Sequence, residues 1–370
     1  MANTPITQPG RTGRRQGQMP SRNRGQILKL TNEATRELAS VTAGAEAAER
    51  IGSKFAPDTT GVRITPRDCL PCRADYQVLT EYQLLDTHQL MNKVAMVTGA
   101  TRNLGLALVQ GLAERLEAGD VVYLTGRDPV RVSEALETVT AARAEVRGAV
   151  VDVSEPDAVA RFAASLAGRH GGVDIVFSNH YTRIQPGDDP AEMIDHYVAV
   201  NNLGTTSVLR AFAPLLRDGA RLLVVASRAG SLRALAPVLH PRFDGDLESL
   251  GDVDSAVCRW RDAVREGRAA GEAWPAWINI PSKIGQVAAV RVLARQRRAD
   301  DLRRGILIAA VCPGLIDTGA SRQWLDMTRA QTPAEAAGGL LGLALGPDPD
   351  PGFYGELVLF GKVVPWKPQG

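Results

Sequence analysis

A short β-branched run, Val94–Val97, leads straight into Thr98-Gly99-Ala100-Thr101-Arg102-Asn103-Leu104-Gly105, and an apolar helical pattern follows at Leu106, Ala107, Val109, Leu112, Ala113 and Leu116. A strand, a glycine-bearing turn and a helix N-terminus together make a pyrophosphate cradle, because backbone N–H groups and the helix dipole both face the anion. The flanking strand and helix give the glycines this meaning; a glycine pair without them marks any tight turn. A second run, Val121–Leu124, ends in Thr125-Gly126-Arg127. An acid near this point reads a ribose 2′-hydroxyl, whereas an arginine accommodates a 2′-phosphate. Arg127, together with Arg102, therefore points to NADP(H); the competing reading is two solvated surface arginines. Asp152, before Pro156, reads by its position alone as a helix cap. Cys69-Leu70-Pro71-Cys72 has redox or zinc-ligand spacing, but no second pair of cysteines or histidines accompanies it, so no metal site is expected.

The elements that must carry these residues are legible from Lys93 onward. Apolar runs at Val94–Val97, Val121–Leu124, Ala149–Val151, Ile175–Phe177, Leu222–Val225, Ile306–Val311 and Leu357–Leu359 alternate with helical patterns. Continuously apolar strands are buried on both faces, as in a parallel sheet. Alternation with helices gives a doubly wound α/β (Rossmann) fold. A single main domain over 91–370 is expected. Before it come a basic tail over 1–25, too poor in apolar residues to fold, and an extension over 26–90. Leu30, Ala34, Leu38, Val41, Ala45 and Ala48 recur there with the period of an amphipathic helix.

The turn resembles the TGxxxGxG loop of the short-chain dehydrogenase/reductase family, with Asn103 at the middle glycine. The resemblance continues in order. Asp152 and Val153 match the adenine contact. Ser178-Asn179-His180-Tyr181 takes the place of NNAG. Asn201 begins the NxxxG motif and would be the active-site asparagine. Ser227 matches the catalytic serine. Pro313, Gly314 and Thr318 match the segment on the carboxamide side of nicotinamide. Trp274-Pro275 followed by Ser282-Lys283 resembles the carbonyl-reductase subgroup, as does an insertion at about 233–275 that would cover the active site. In this register Lys283 is the active-site lysine, and the tyrosine of YxxxK is replaced by Asn279. A carboxamide donates a hydrogen bond but is no acid near neutral pH. Tyr181 could supply a phenol from a new position, and His180 an acid or base; both equally could fill space.

The resemblance implies a Rossmann fold and an NADP(H)-linked reduction of ketones or aldehydes at an atypical site. The catalytic candidates are Asn201, Ser227, Asn279, Lys283 and Tyr181. The cofactor candidates are Gly99, Arg102, Asn103, Leu104, Gly105, Arg127, Asp152, Val153, Asn179, Lys283, Pro313, Gly314 and Thr318. Two alternatives stay open: a non-redox cyclase, dehydratase or isomerase on the same fold, and a catalytically silent cofactor-binding subunit.

Composition fits this class. The 370 residues are 44% hydrophobic and 23% charged with a net charge of +2, too little to imply nucleic-acid binding by the whole chain. No apolar run reaches the roughly 18–20 residues that span a bilayer, and no apolar segment of a secretory signal is seen. A cytoplasmic protein acting on a small molecule is expected, as a monomer or as a homodimer through the N-terminal helix.

Overall fold

In the computed structural model the described residues are 92–319, 321–323 and 326–368. The tail expected over 1–25, the extension over 26–90 with its helix, and the Cys69/Cys72 pair lie outside them. Strands and helices alternate in the order β1 (Val94–Val97), α1 (Asn103–Arg115), β2 (Val121–Gly126), α2 (Pro129–Thr138), β3 (Glu145–Val150), α3 (Pro156–His170), β4 (Val173–Ser178), α4 (Pro190–Val198) and α5 (Gly204–Phe212). They continue with β5 (Leu216–Val225), α6 (Pro241–Asp244), α7 (Leu250–Arg265), α8 (Asn279–Arg303), β6 (Leu307–Cys312), α9 (Pro333–Leu345), β7 (Leu357–Leu359) and β8 (Lys362–Val364). The strands form one sheet in the order β3-β2-β1-β4-β5-β6-β7-β8. It is parallel apart from the antiparallel β7–β8 pair. This is the doubly wound α/β fold the alternation predicts.

Every residue of β1, β2 and β6 is buried, which is why these strands read as unbroken apolar runs. Helices cover both faces. Gly111 on α1 lets α9 approach, since a Cβ there would lie 2.3 Å from Leu341 Cδ1. Phe162 of α3 meets Phe212 of α5 edge-on at 6.1 Å. Each fully buried Leu, Val or Phe side chain contributes about 1.5–3 kcal/mol.

Two edges depart from the sequence reading. β3 starts at Glu145, ahead of the apolar run at Ala149, because an edge strand tolerates the half-exposed Glu145-Val146-Arg147. β8 escapes notice altogether. It is a short, largely exposed edge joined to β7 by Phe360 and Gly361, both at positive φ (49° and 69°), as a two-residue hairpin turn requires.

Between α4 and α5 the backbone winds as a π-helix over Ala199–Leu203. Such one-turn bulges displace a carbonyl from the ordinary ladder, and Asn201 lies inside this one. Residues 233–275 contribute α6 and α7, and α7 packs on α4 and α8. Gly285 of α8 allows that contact, since a Cβ there would stand 2.6 Å from Val257 Cγ1. This segment thus buttresses the helix that carries Lys283.

Candidate active site

The strand order reverses between β1 and β4, and in open parallel sheets the ligand crevice lies at that switch point, beyond the carboxyl ends of the strands. The turn after β1 faces it. Gly99 and Asn103 both adopt left-handed backbone, φ 60° and 48°, and Asn is among the few residues with a side chain that tolerates this. Gly105 lets α1 begin directly on the turn: a Cβ there would lie 2.4 Å from Gly99 O and 2.6 Å from Asn179 Nδ2. Arg102 is the exposed N-cap residue of α1, Leu104 and Gly105 are buried behind it, and the first turn holds no acid. The first N–H groups of α1 therefore face outward without an internal anion. These glycines, N–H groups and arginines fit a dinucleotide's phosphates.

Replacing Gly105 by alanine should cost about 1–3 kcal/mol, as overpacking of a tight contact does. Chemical denaturation of Gly105→Ala checks this; an unchanged midpoint would mean that the turn has room to spare.

Asn179, after β4, ties the turn down. Its Nδ2 donates to Thr98 O at 3.0 Å and Gly99 O at 3.2 Å. Arg127 is exposed at the end of β2, and its Nη1 lies 3.3 Å from His196 Nε2. Asp152 follows β3. Burial opposes its ionisation, but hydrogen bonds from Ser154 and the nearby Arg127 outweigh this and hold its pKa below the usual range. Val153 is buried, with its carbonyl against Gly204.

His180 points inward. Thr98 Oγ1 accepts from the backbone N–H groups of Asn179 (2.8 Å) and His180 (3.1 Å) and lies within hydrogen-bond distance of Phe177 O (3.3 Å) and His180 Nδ1 (2.8 Å). The other ring nitrogen, Nε2, lies near Thr205 Oγ1 at 3.4 Å and the Val200 backbone. Burial, helped by the charge of Lys283, pushes its pKa down to about 3. His180 is a neutral core residue here.

On the far side, α8 brings Asn279 and Lys283 to the crevice. Lys283 is buried, and its Nζ donates to Val225 O at 3.2 Å and Gln286 Oε1 at 2.8 Å. Burial lowers its pKa to about 8. Its ammonium lies 5.0 Å from the ring centre of Tyr181. Asn279 Oδ1 accepts from two phenols, Tyr197 at 3.2 Å and Tyr181 at 3.4 Å. Burial raises the pKa of both tyrosines, so both are neutral donors. With the oxygen of Asn279 met twice, its Nδ2 is the end left for a ligand.

Asn201 braces the loop after β4: Oδ1 accepts from Thr182 N (2.8 Å) and Nδ2 donates to Thr182 O (2.9 Å). Its carbonyl, freed by the π-bulge, accepts from Gln286 Nε2 and Thr205 Oγ1, each at 2.8 Å. Ser227 lies two residues beyond β5 and caps the turn at Arg228–Gly230, accepting from Ala229 N at 3.2 Å. That turn packs on α8, since a Cβ on Gly230 would lie 2.9 Å from Lys283 O. Pro313 and Gly314 follow β6. Pro313 O accepts from Gln331 Nε2 at 3.2 Å, and Gly314 sits at φ 83° against Phe360. Thr318 Oγ1 pairs with Ser321 Oγ at 2.9 Å.

The structure thus gathers Asn279, Lys283 and Tyr181 into one cluster, with Asn201 linked to it through Gln286. Sequence reasoning missed Tyr197, Thr205 and Gln286. Gln286 lies one helical turn after Lys283, a spacing that places both on one helix face; Tyr197 carries no such signal, because its partner is on another element. Among the described residues no cluster of metal-ligating side chains occurs, and no helix is long and apolar enough to cross a membrane.

An open parallel sheet with a glycine turn at its switch point defines a dinucleotide-fold protein. The comparisons are narrower. The family described as short chain dehydrogenase matches residues 93–237. Carbonyl reductase (NADPH) 1 of Mus musculus is 30% identical over 280 residues, covering 74% of this chain and 98% of that protein. The Homo sapiens counterpart is 28% identical over 279 residues, with 74% and 98% covered. Among solved structures, salutaridine reductase from Papaver somniferum matches with TM-score 0.61 at 22% identity, over 72% of this chain and 99% of its own. Menthone neomenthol reductase from Mentha piperita matches at 0.58 and 21%, over 74% and 100%. The chain belongs to the short-chain dehydrogenase family of oxidoreductases.

Proposed function

We propose that this protein is an NADP(H)-linked reductase of ketones or aldehydes with an altered active site. One observation carries the reading: the α1 cradle stands open beside Arg102 and Arg127, with Arg127 directly after β2 and the carboxylate of the next residue, Asp128, engaged in capping α2. The chain's likeness to NADPH carbonyl reductases over almost their whole length supports it.

When bound, the cofactor supplies a hydride to a carbonyl carbon. The Gly99–Gly105 turn, with Asn103 and Leu104 in it, holds the diphosphate, and Asn179 holds the turn. Arg127 and Arg102 hold the 2′-phosphate, and Asp152 and Val153 meet the adenine. Pro313, Gly314 and Thr318 line the nicotinamide side, and Lys283 meets its ribose. Ser227 and the Nδ2 of Asn279 hydrogen-bond the substrate oxygen and stabilise its developing charge. Asn279 stands where the family motif has tyrosine and is itself no acid near neutral pH, so water supplies the proton; Tyr181, a neutral phenol bonded to Asn279 while the site is closed, is an alternative donor. Asn201 positions the Tyr181 loop through Thr182. The same proposal covers a tail over 1–25, an extension over 26–90 and a main domain over 91–370. It places the protein in the cytoplasm as a monomer or a homodimer through the N-terminal helix.

The test is NADPH consumption by the full chain with a panel of activated ketones and aldehydes. A charge-assisted contact to phosphate contributes about 1.5–3 kcal/mol. Arg127→Ala should therefore weaken NADPH binding roughly 10–100-fold and leave NADH unchanged in calorimetry. Equal affinities of wild type for the two cofactors would sink the 2′-phosphate assignment.

A second reading, a silent or non-redox protein, is favoured by the internal partners of Lys283 Nζ and of the Asn201 carbonyl. NADPH binding without consumption on any carbonyl compound would select it.

A further inference from the structure

A dinucleotide seated with its phosphates on α1 lays one half beyond β2 and β3 and the other beyond β4 and β5, because the crevice straddles the switch point. The first half runs beside Arg127 and Asp152. Among the described residues neither Arg102 nor Arg127 is tied to a carboxylate by an ion pair, and both are exposed. The second half is bridged. Tyr181, shortly after the end of β4, reaches across to α8. Its ring face covers Lys283 Nζ at 5.0 Å, its hydroxyl bonds Asn279 at 3.4 Å, and Tyr197 meets it edge-on at 6.2 Å. Two of the lysine's protons are already engaged by Val225 O and Gln286 Oε1. The Tyr181 ring thus roofs the remaining face of the ammonium.

The roof is lightly held. The hydroxyl bond is at the long end of the range, the residue is 44% exposed, and it belongs to the loop between β4 and α4. The ring can leave without unwinding a helix or breaking a strand.

We propose that Tyr181 determines ligand specificity by closing the β4–β5 half of the crevice, so that the adenosine-phosphate end of a dinucleotide binds first and the second nucleotide enters only when the Tyr181 ring leaves Lys283. The proposal rests on the cofactor reading above. The small ligand adenosine 2′,5′-bisphosphate should bind almost as well as the whole cofactor, because the second half must displace a ring to gain its contacts.

Calorimetric titration of the full chain with NADPH and with adenosine 2′,5′-bisphosphate tests this. Losing a partly desolvated cation–ring contact should raise NADPH affinity by roughly 5–30-fold in Tyr181→Ala, with the bisphosphate unchanged. Tyr181→Phe keeps the ring and should stay within about 3-fold of wild type for both ligands. If the bisphosphate binds and Tyr181→Ala gains nothing for NADPH, or gains equally for both, Tyr181 is no gate and the cofactor reading survives. If Tyr181→Phe gains as much as Tyr181→Ala, the hydroxyl and not the ring does the closing, and the proposal falls. If neither ligand binds wild type or Tyr181→Ala, the cofactor reading falls and takes the gate with it.

Discussion

The double variant Asn279→Tyr/Tyr181→Gly is expected to reduce activated ketones with NADPH roughly 10²–10⁴-fold faster than wild type, the range of a positioned general acid. The swap places a phenol at the start of α8, one turn before Lys283, and removes the ring that lies against both residues. The single variant Asn279→Tyr should gain less, because the new ring would compete with Tyr181 and Tyr197 for one space. An ammonium beside a phenol favours the phenolate and so lowers the phenol pKa. Lys283, itself held near the edge of neutrality at about 8 by burial, would take up that task. The measurement is initial rate against a substrate panel for the wild type, both single variants and the double. Equal rates in wild type and the double variant would mean that proton transfer is not what limits this site. A fall in Tyr181→Phe would then identify Tyr181 as an adequate donor already.

The second large effect is on stability. His180 is buried, neutral, and has a folded pKa of about 3 against about 6.5 in an unfolded chain. Below about pH 6.5 the unfolded chain takes up a proton on this residue that the fold refuses. Its contribution therefore drains away as pH falls from about 6.5 toward 3, at about 1.4 kcal/mol per pH unit and on the order of 5 kcal/mol in all. Urea unfolding at pH 7.5 and pH 4.5 should show a fall of roughly 2–3 kcal/mol in wild type that is missing in His180→Gln. The substitution will lower stability at pH 7.5 because it disturbs the bond to Thr98; the slope is the readout. Parallel slopes in the two proteins would show that His180 is free to protonate in the fold.

Much of this architecture is written locally. Val94–Val97 is a strand of those bounds because four apolar residues in a row are buried on both faces, and the turn after it is legible because Gly99 and Gly105 stand between a strand and a helix pattern. Asn103 adopts the left-handed backbone that its residue type makes affordable. Arg127 is where the end of β2 had to put it. Other features depend on pairings distant in sequence. β3 begins with Glu145 because it is an edge, and nothing within Glu145-Val146-Arg147 announces which strand is outermost. That an asparagine, Asn279, stands four residues before Lys283 is visible in the sequence. That Tyr181 and Tyr197 converge on the Asn279 carboxamide is not, because those three residues come from a loop and two helices. Likewise His180 reads as a candidate acid or base until burial and the two threonines around it are known.

The side chains beneath the crevice form one unbroken polar chain. It runs from Thr98 through His180, Thr205 and Gln286 to Lys283 and the Val225 carbonyl. It stitches β1, the β4 loop, α5, α8 and β5 together at a single level. Such a seam has no weak end at which to fray. The amide hydrogens of Asn179 and His180, both lodged on Thr98 Oγ1, should then exchange with deuterated solvent only when the whole domain unfolds. The loop beyond the Asn201–Thr182 brace, from Arg183 to Asp188, should exchange in short excursions of its own. The boundary between a slow floor and a fast rim is thus drawn just after Thr182.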